Sequence, residues 1–165
     1  MGQKDDFLAK AQAEVGYVEG PKDNETKFGA WNKHNFQPWC GSFVDWVAAH
    51  TKVVMPKCVY TPAGVEGFKG KGRWSNAATA KPKPGDIAFF DFVEDKVPVE
   101  HVGIVVKDNG DGTVTTIEGN TSPEKKKGSQ ANGGQVAERI RAYRVNNKRK
   151  LQVFIVGFGT PKFKD

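Results

Sequence analysis

The stretch Gln37-Pro38-Trp39-Cys40-Gly41-Ser42-Phe43-Val44-Asp45-Trp46-Val47-Ala48-Ala49-His50 decides how the chain is read. Apolar residues at 43, 44, 47 and 48 fall on one helical stripe, so a helix begins near Cys40 and buries that side. A thiol is a nucleophile only as thiolate, and the unpaired N–H groups and dipole of a helix N-terminus favour the negative charge. The ordinary reading of a cysteine is a small buried apolar residue. Cys58 keeps that reading, whereas Cys40 sits where a helix can activate it. Two cysteines permit one disulfide but make no disulfide framework.

Outward from this helix the pattern changes from helical to extended. On the N-terminal side, apolar positions 7, 8, 11 and 15 predict a helix over 6–15 that stops at Gly16, and 26–31 begins a second short one. On the C-terminal side, 51–80 reads as irregular, with a short helix near 65–70. From Lys83 the chain turns β. Strands are expected over 87–92, 101–107, 113–118, 136–145 and 151–158, and Asp108-Asn109-Gly110-Asp111-Gly112 is a hairpin signal. A polar loop is expected over 119–135. Helices first and antiparallel strands after predict an α+β domain.

A catalytic thiol needs a base within hydrogen-bond reach. His34 lies in the polar loop Asn32-Lys33-His34-Asn35, and its ordinary reading is a surface residue. His50 ends the helix that Cys40 begins, roughly 15 Å away at helical rise. His101 remains, at the start of a strand. A turn centred near Gly110 pairs residues whose numbers sum to 219–221, which sets His101 opposite 118–120. Glu118 and Asn120 stand there, on one face of their strand. Either can accept a hydrogen bond from one ring nitrogen and leave the other for the thiol. The competing reading is a polar strand end with no function.

The bulk numbers bound the class. The 165 residues suit one domain with its own core. No apolar run approaches the ~20 residues of a membrane span, and the first residues have no apolar signal core. The net charge is +6; residues 1–100 hold 13 basic and 13 acidic residues, so the excess lies in residues 101–165. Such an excess is usually a solvated face and otherwise suits a polyanion. Nucleic acid is disfavoured: Arg139-Ile140-Arg141-Ala142-Tyr143-Arg144 carries one aromatic and reads as an edge strand with an exposed basic face.

Four segments in order resemble the CHAP family (cysteine, histidine-dependent amidohydrolase/peptidase). Gln37-Pro38-Trp39-Cys40-Gly41-Ser42-Phe43-Val44 is similar to its nucleophile motif, and Pro84-Gly85-Asp86-Ile87-Ala88-Phe89-Phe90 to its first strand motif. Glu100-His101-Val102-Gly103-Ile104-Val105 resembles its histidine motif, and Thr116-Ile117-Glu118-Gly119-Asn120-Thr121 its Glu-x-Asn motif. The resemblance runs from about Phe7 to Gly157.

It implies a papain-like α+β fold of the NlpC/P60–CHAP type, with N-terminal helices packed on a twisted antiparallel sheet. It implies Cys40 as nucleophile, His101 as base, and Glu118 and Asn120 as its orienting groups. The implied work is cleavage of an amide bond in bacterial peptidoglycan, as amidase or endopeptidase, in the manner of a phage endolysin. Such a protein would stay in the host cytoplasm until release to the wall. The implied partners are peptidoglycan and anionic wall polymers, with a monomer as the default. One catalytic domain over 1–165 is expected, without a separate wall-binding domain, metal or organic cofactor.

Some members hold calcium in an acidic loop before the cysteine. Residues 32–39 have no acid, and Asp23 and Glu25 are only a weak substitute. Gln37 is a candidate oxyanion contact, and Trp39, Trp74 and Phe90 are candidate groove residues, each against the alternative of core packing. The competing classes are an NlpC/P60-type cysteine peptidase and an inactive wall-binding module.

Overall fold

The computed structural model describes residues 2–92, 99–124 and 129–164. Four helices come first: α1 (Gln3–Ala13), α2 (Lys27–Trp31), α3 (Cys40–His50) and α4 (Thr61–Gly70). Six strands follow: β1 (Trp74–Asn76), β2 (Ile87–Phe90), β3 (His101–Asp108), β4 (Thr113–Thr121), β5 (Gln135–Ala142) and β6 (Ile155–Gly159). They form one antiparallel sheet in the order β1-β6-β2-β3-β4-β5. The α+β class expected from the sequence is the observed one.

The element bounds shift in ways with physical causes. Thr26 is not helical but caps α2, its hydroxyl accepting the Gly29 N–H at 2.8 Å. The region read as irregular over 51–80 holds a full helix, α4, with Pro62 in its first turn, and the short edge strand β1. The loop expected from 119 begins later, because β4 continues to Thr121; its residues 125–128 lie outside the described residues. The last strand enters the middle of the sheet, pairing with β1 on one side and β2 on the other.

Strand alternation divides the core between the two faces. Ile87, Phe89, Val102, Ile104 and Ile117 point to the helices and pack with Phe7, Phe28, Phe43, Val44 and Val47. Ala88, Phe90, Val105, Val114, Tyr143 and Phe158 point the other way, against Ala77 and Ala80. By the same alternation, His101 and Gly103 belong to the second face. The chemistry therefore sits at the first residue of β3, where the start of α3 brings Cys40 to the carbonyl of Glu100. Among the described residues, no helix is long and apolar enough to cross a membrane.

Candidate active site

Cys40 is the first residue of α3, as the helical stripe predicts, and both cysteines are free thiols. The start of α3 is held by the backbone at residues 58 and 59. Gly41 has no side chain because the carbonyl oxygen of Cys58 would lie 1.9 Å from its Cβ. One turn on, the buried Asp45 carboxylate accepts the N–H groups of Cys58 (2.7 Å) and Val59 (3.0 Å). Burial pushes the Asp45 carboxyl up to about 6, against those two N–H groups and the charge of Lys57. Burial also pushes the Cys58 thiol up, and the negative charges of Asp45 and Cys40 add to it.

The sulfur of Cys40 lies 3.9 Å from the carbonyl oxygen of Glu100, the residue before β3. His101 follows and is fully buried. Its Nε2 lies 2.8 Å from Oε1 of Glu118. Its Nδ1 is buried without a hydrogen-bond partner among the described residues, and the Cys40 thiol acts on the imidazole by hydrogen bond and charge. Burial pushes the imidazole down, but the hydrogen bonds and charges of Cys40 and Glu118 outweigh it and hold the ring up at about 9. Phe90 and Phe92, stacked on each other, flank the ring with centroids 5.3 and 5.5 Å away.

Glu118 is sealed from water and would be costly there as a lone anion. It is not alone. Arg141, on β5, forks onto it with Nε to Oε2 at 2.8 Å and Nη2 to Oε1 at 2.6 Å. The Thr116 hydroxyl donates to Oε2 at 2.6 Å. Burial pushes the carboxyl up, but the Arg141 charge and hydrogen bonds, with those of His101, win and hold it well below the usual carboxylate range. The row is thus thiol, imidazole, carboxylate and guanidinium.

Arg141 was not among the candidate residues, and the exposed basic face expected over 139–144 is corrected here. The strand is an edge, but Arg141 is buried, its guanidinium carbon 5.2 and 5.1 Å from the rings of Phe90 and Phe92. Arg139 is also tied inward, donating to Glu124 at 2.7 Å and to the Ser122 carbonyl. The signal that points to Arg141 is the buried carboxylate itself, which requires a cation on a neighbouring strand at matching parity.

The other candidates separate. Asn120 does not meet the imidazole: its Oδ1 accepts the Gly134 N–H at 3.0 Å and its Nδ2 donates to Asn132 at 3.1 Å. It serves the loop after β4, at a left-handed φ of 57°. Trp39 is fully buried, stacked on Phe28, with its indole N–H on Glu19 at 3.0 Å, so it is core and not groove. Phe90 is likewise buried and backs the His101 ring. Trp74, on the edge strand β1, lines a depression of ≈ 320 Å³ with Pro62, Val65, Lys69 and Val99, apart from Cys40 and His101. Gln37 is exposed in the segment before α3, and His34 is exposed in its loop. His50 caps its own helix, its Nδ1 2.8 Å from the Trp46 carbonyl. Among the described residues, no group of three or more His, Cys, Asp and Glu is placed to hold a metal ion.

A cysteine at a helix start, beside a histidine at the start of a strand in an antiparallel sheet, fits the papain-like α+β class of the NlpC/P60–CHAP type. The CHAP domain family matches residues 31–120, more than half of the chain, and the chain belongs to that family. Solved structures of similar fold include Ly7917 (15% identity, TM-score 0.53, covering 96% of this chain and 62% of that one). The wild-type endolysin LysIME-EF1 is similar at 14% identity and TM-score 0.51, covering 98% of this chain and 65% of that one. A lipoprotein-like protein of the NLP/P60 family from Staphylococcus aureus subsp. aureus Mu50 is similar at 12% identity and TM-score 0.50, covering 96% and 41%. The chain thus spans less than two thirds of the length of these structures. No curated protein sequence matches it.

Proposed function

We propose that this chain is a peptidoglycan hydrolase that cleaves an amide bond through Cys40, with His101 as base and Glu118 orienting the imidazole. The observation that carries the reading is the buried row itself. Glu118 occupies Nε2 of His101 and leaves Nδ1 free of any other partner among the described residues, while the Cys40 thiol acts on the same ring. A hydrolase needs that order, whereas a binding module has no use for a charged row sealed from water. Membership of the CHAP family and the fold shared with an endolysin support the wall as substrate.

In the proposed reaction the Cys40 thiolate attacks the amide carbonyl. The first N–H groups of α3 have no partner within the helix and face the developing oxyanion. The imidazolium of His101 gives its proton to the leaving amine, and a thioester remains on Cys40. The neutral ring then takes a proton from water, whose oxygen attacks the thioester and releases the acid and the thiolate. Glu118 holds the ring orientation through both transfers. Candidate bonds are the N-acetylmuramoyl-L-alanine amide and the peptide bonds of the stem or bridge.

The test is clearing of purified Gram-positive and Gram-negative sacculi by wild type beside Cys40→Ala, with mass spectrometry of the released fragments. Clearing by wild type alone supports the reading, and the fragment masses identify the bond. No release from any wall overturns it and favours the binding module.

A further inference from the structure

We propose that Arg141 is a positioning residue of this hydrolytic site: its fork fixes the Glu118 carboxylate so that His101 keeps one ring nitrogen on Glu118 and turns the other to Cys40. The inference rests on the reading above and adds a residue outside the stretch that carries the family match, 31–120.

The geometry is that of a clamp. Arg141 contacts both carboxylate oxygens, at 2.8 and 2.6 Å, and Thr116 contacts one of them at 2.6 Å. A carboxylate held this way cannot turn, so the oxygen that meets His101 Nε2 is fixed in place. The clamp is itself held. Arg141 lies against Phe90 and Phe92, the same two rings that flank His101, and its Nη1 donates to Gln130.

Charge balance gives the clamp a second effect. With an ionised thiol and a charged imidazole, the row Cys40, His101, Glu118 and Arg141 holds two negative and two positive charges. Without the guanidinium, one negative charge is in excess where water is excluded. The row then takes up a proton it would not otherwise hold. The other charged or titratable groups around it are Glu100 before His101, Asp91 after β2, Asp45 and Cys58 behind Cys40, and Arg139, which is engaged with Glu124. Of the other cations, Lys57 acts on Asp45 and Cys58, and the Arg139 guanidinium reaches Glu124 and Ser122 rather than Glu118.

The test is site-resolved alkylation of Cys40 by iodoacetamide, read by mass spectrometry of its peptide from acid to neutral pH, alongside wall clearing. In Arg141→Met the acid limb of the alkylation rate should move to higher pH by about one unit or more. A merely structural arginine would lower the melting temperature and leave that limb in place. A folded Arg141→Met with the wild-type limb overturns the proposal. If Arg141→Met does not fold, Arg141→Lys, which keeps the charge and loses the fork, replaces it. It should lose about tenfold or more in kcat with KM within about twofold, and a wild-type kcat overturns the proposal. A limb that shifts in Arg141→Met while wild type releases nothing from any wall supports the positioning role and sinks only the peptidoglycan reading.

Discussion

Glu118 reaches His101 over the bare α-carbon of Gly103. A Cβ built on Gly103 would lie 2.6 Å from Cγ of Glu118 and 3.3 Å from the Ile117 carbonyl oxygen. The register explains why. β3 and β4 pair Ile104 with Ile117, so the next step sets Gly103 beside Glu118, and the carboxylate must lean along the sheet to Nε2 of His101. The glycine two residues after the histidine is therefore space for the carboxylate. Gly103→Ala should displace Glu118, lower kcat for wall hydrolysis by about tenfold or more, and cost about 1–3 kcal/mol of stability as an overpacked site. Denaturant melts and clearing rates check both. Full activity in the alanine variant would refute the crossing as the route to His101.

Asn120 and Glu118 should separate in the same assays. The Asn120 side chain holds the loop at 131–134 and sits at φ 57°, where alanine is strained. Asn120→Ala should therefore cost about 2 kcal/mol or more of stability from lost hydrogen bonds and backbone strain. The activity that remains should keep the wild-type pH profile. Glu118→Gln, which removes the charge beside the ring, should change the profile. An altered profile in Asn120→Ala would return that residue to the imidazole.

The histidine makes a prediction about stability and pH. Its folded-state value, about 9, lies above its ordinary 6.5, so the folded protein holds this proton more tightly than the unfolded chain. The stabilisation is fully present below 6.5 and is lost as pH rises through about 9. Urea melts across that window should show the loss in wild type and a smaller one in Glu118→Gln, whose imidazole has lost its anion. Equal slopes in both proteins would show that the pair does not set the proton affinity of the ring.

The parts legible in the sequence were those fixed locally. The start of α3 at Cys40 follows from one apolar stripe, and the hairpin at Asp108 to Gly112 brings β4 back beside β3 with Glu118 within reach of His101. Numbering across a turn could not choose between Glu118 and Asn120, because a bulge near Val106 and the lean over Gly103 decide that. Arg141 was hidden for a different reason. It arrives after a long loop whose length says nothing of the β4–β5 register, which sets Arg141 opposite Val114, on the same face as Glu118. Trp39 and Phe90 lie beside catalytic candidates in the sequence, but side-chain direction sends both into the core. Such packing is set by the whole fold and not by neighbours in the chain.

Asp45 carries the same sign as His101, in a more acid window. Burial raises its carboxyl from 3.8 to about 6, so the folded protein binds this proton more tightly and stability falls as pH rises between those values. The anion is tolerated because it accepts two N–H groups from the backbone that rests on Gly41, next to Cys40. Asp45→Asn removes the charge but leaves one of those N–H groups facing an amide NH₂. Relative to wild type, the variant should therefore be weakest near pH 3.8 and recover towards pH 6, where wild type bears the buried charge. Loosening of residues 58 and 59 should also lower clearing activity while Cys40 and His101 are intact. Melts at the two pH values with parallel clearing assays check this. A stability difference that stays constant with pH would mean that Asp45 is ionised at no cost in the folded protein, and that its two N–H bonds alone account for its place at the head of α3.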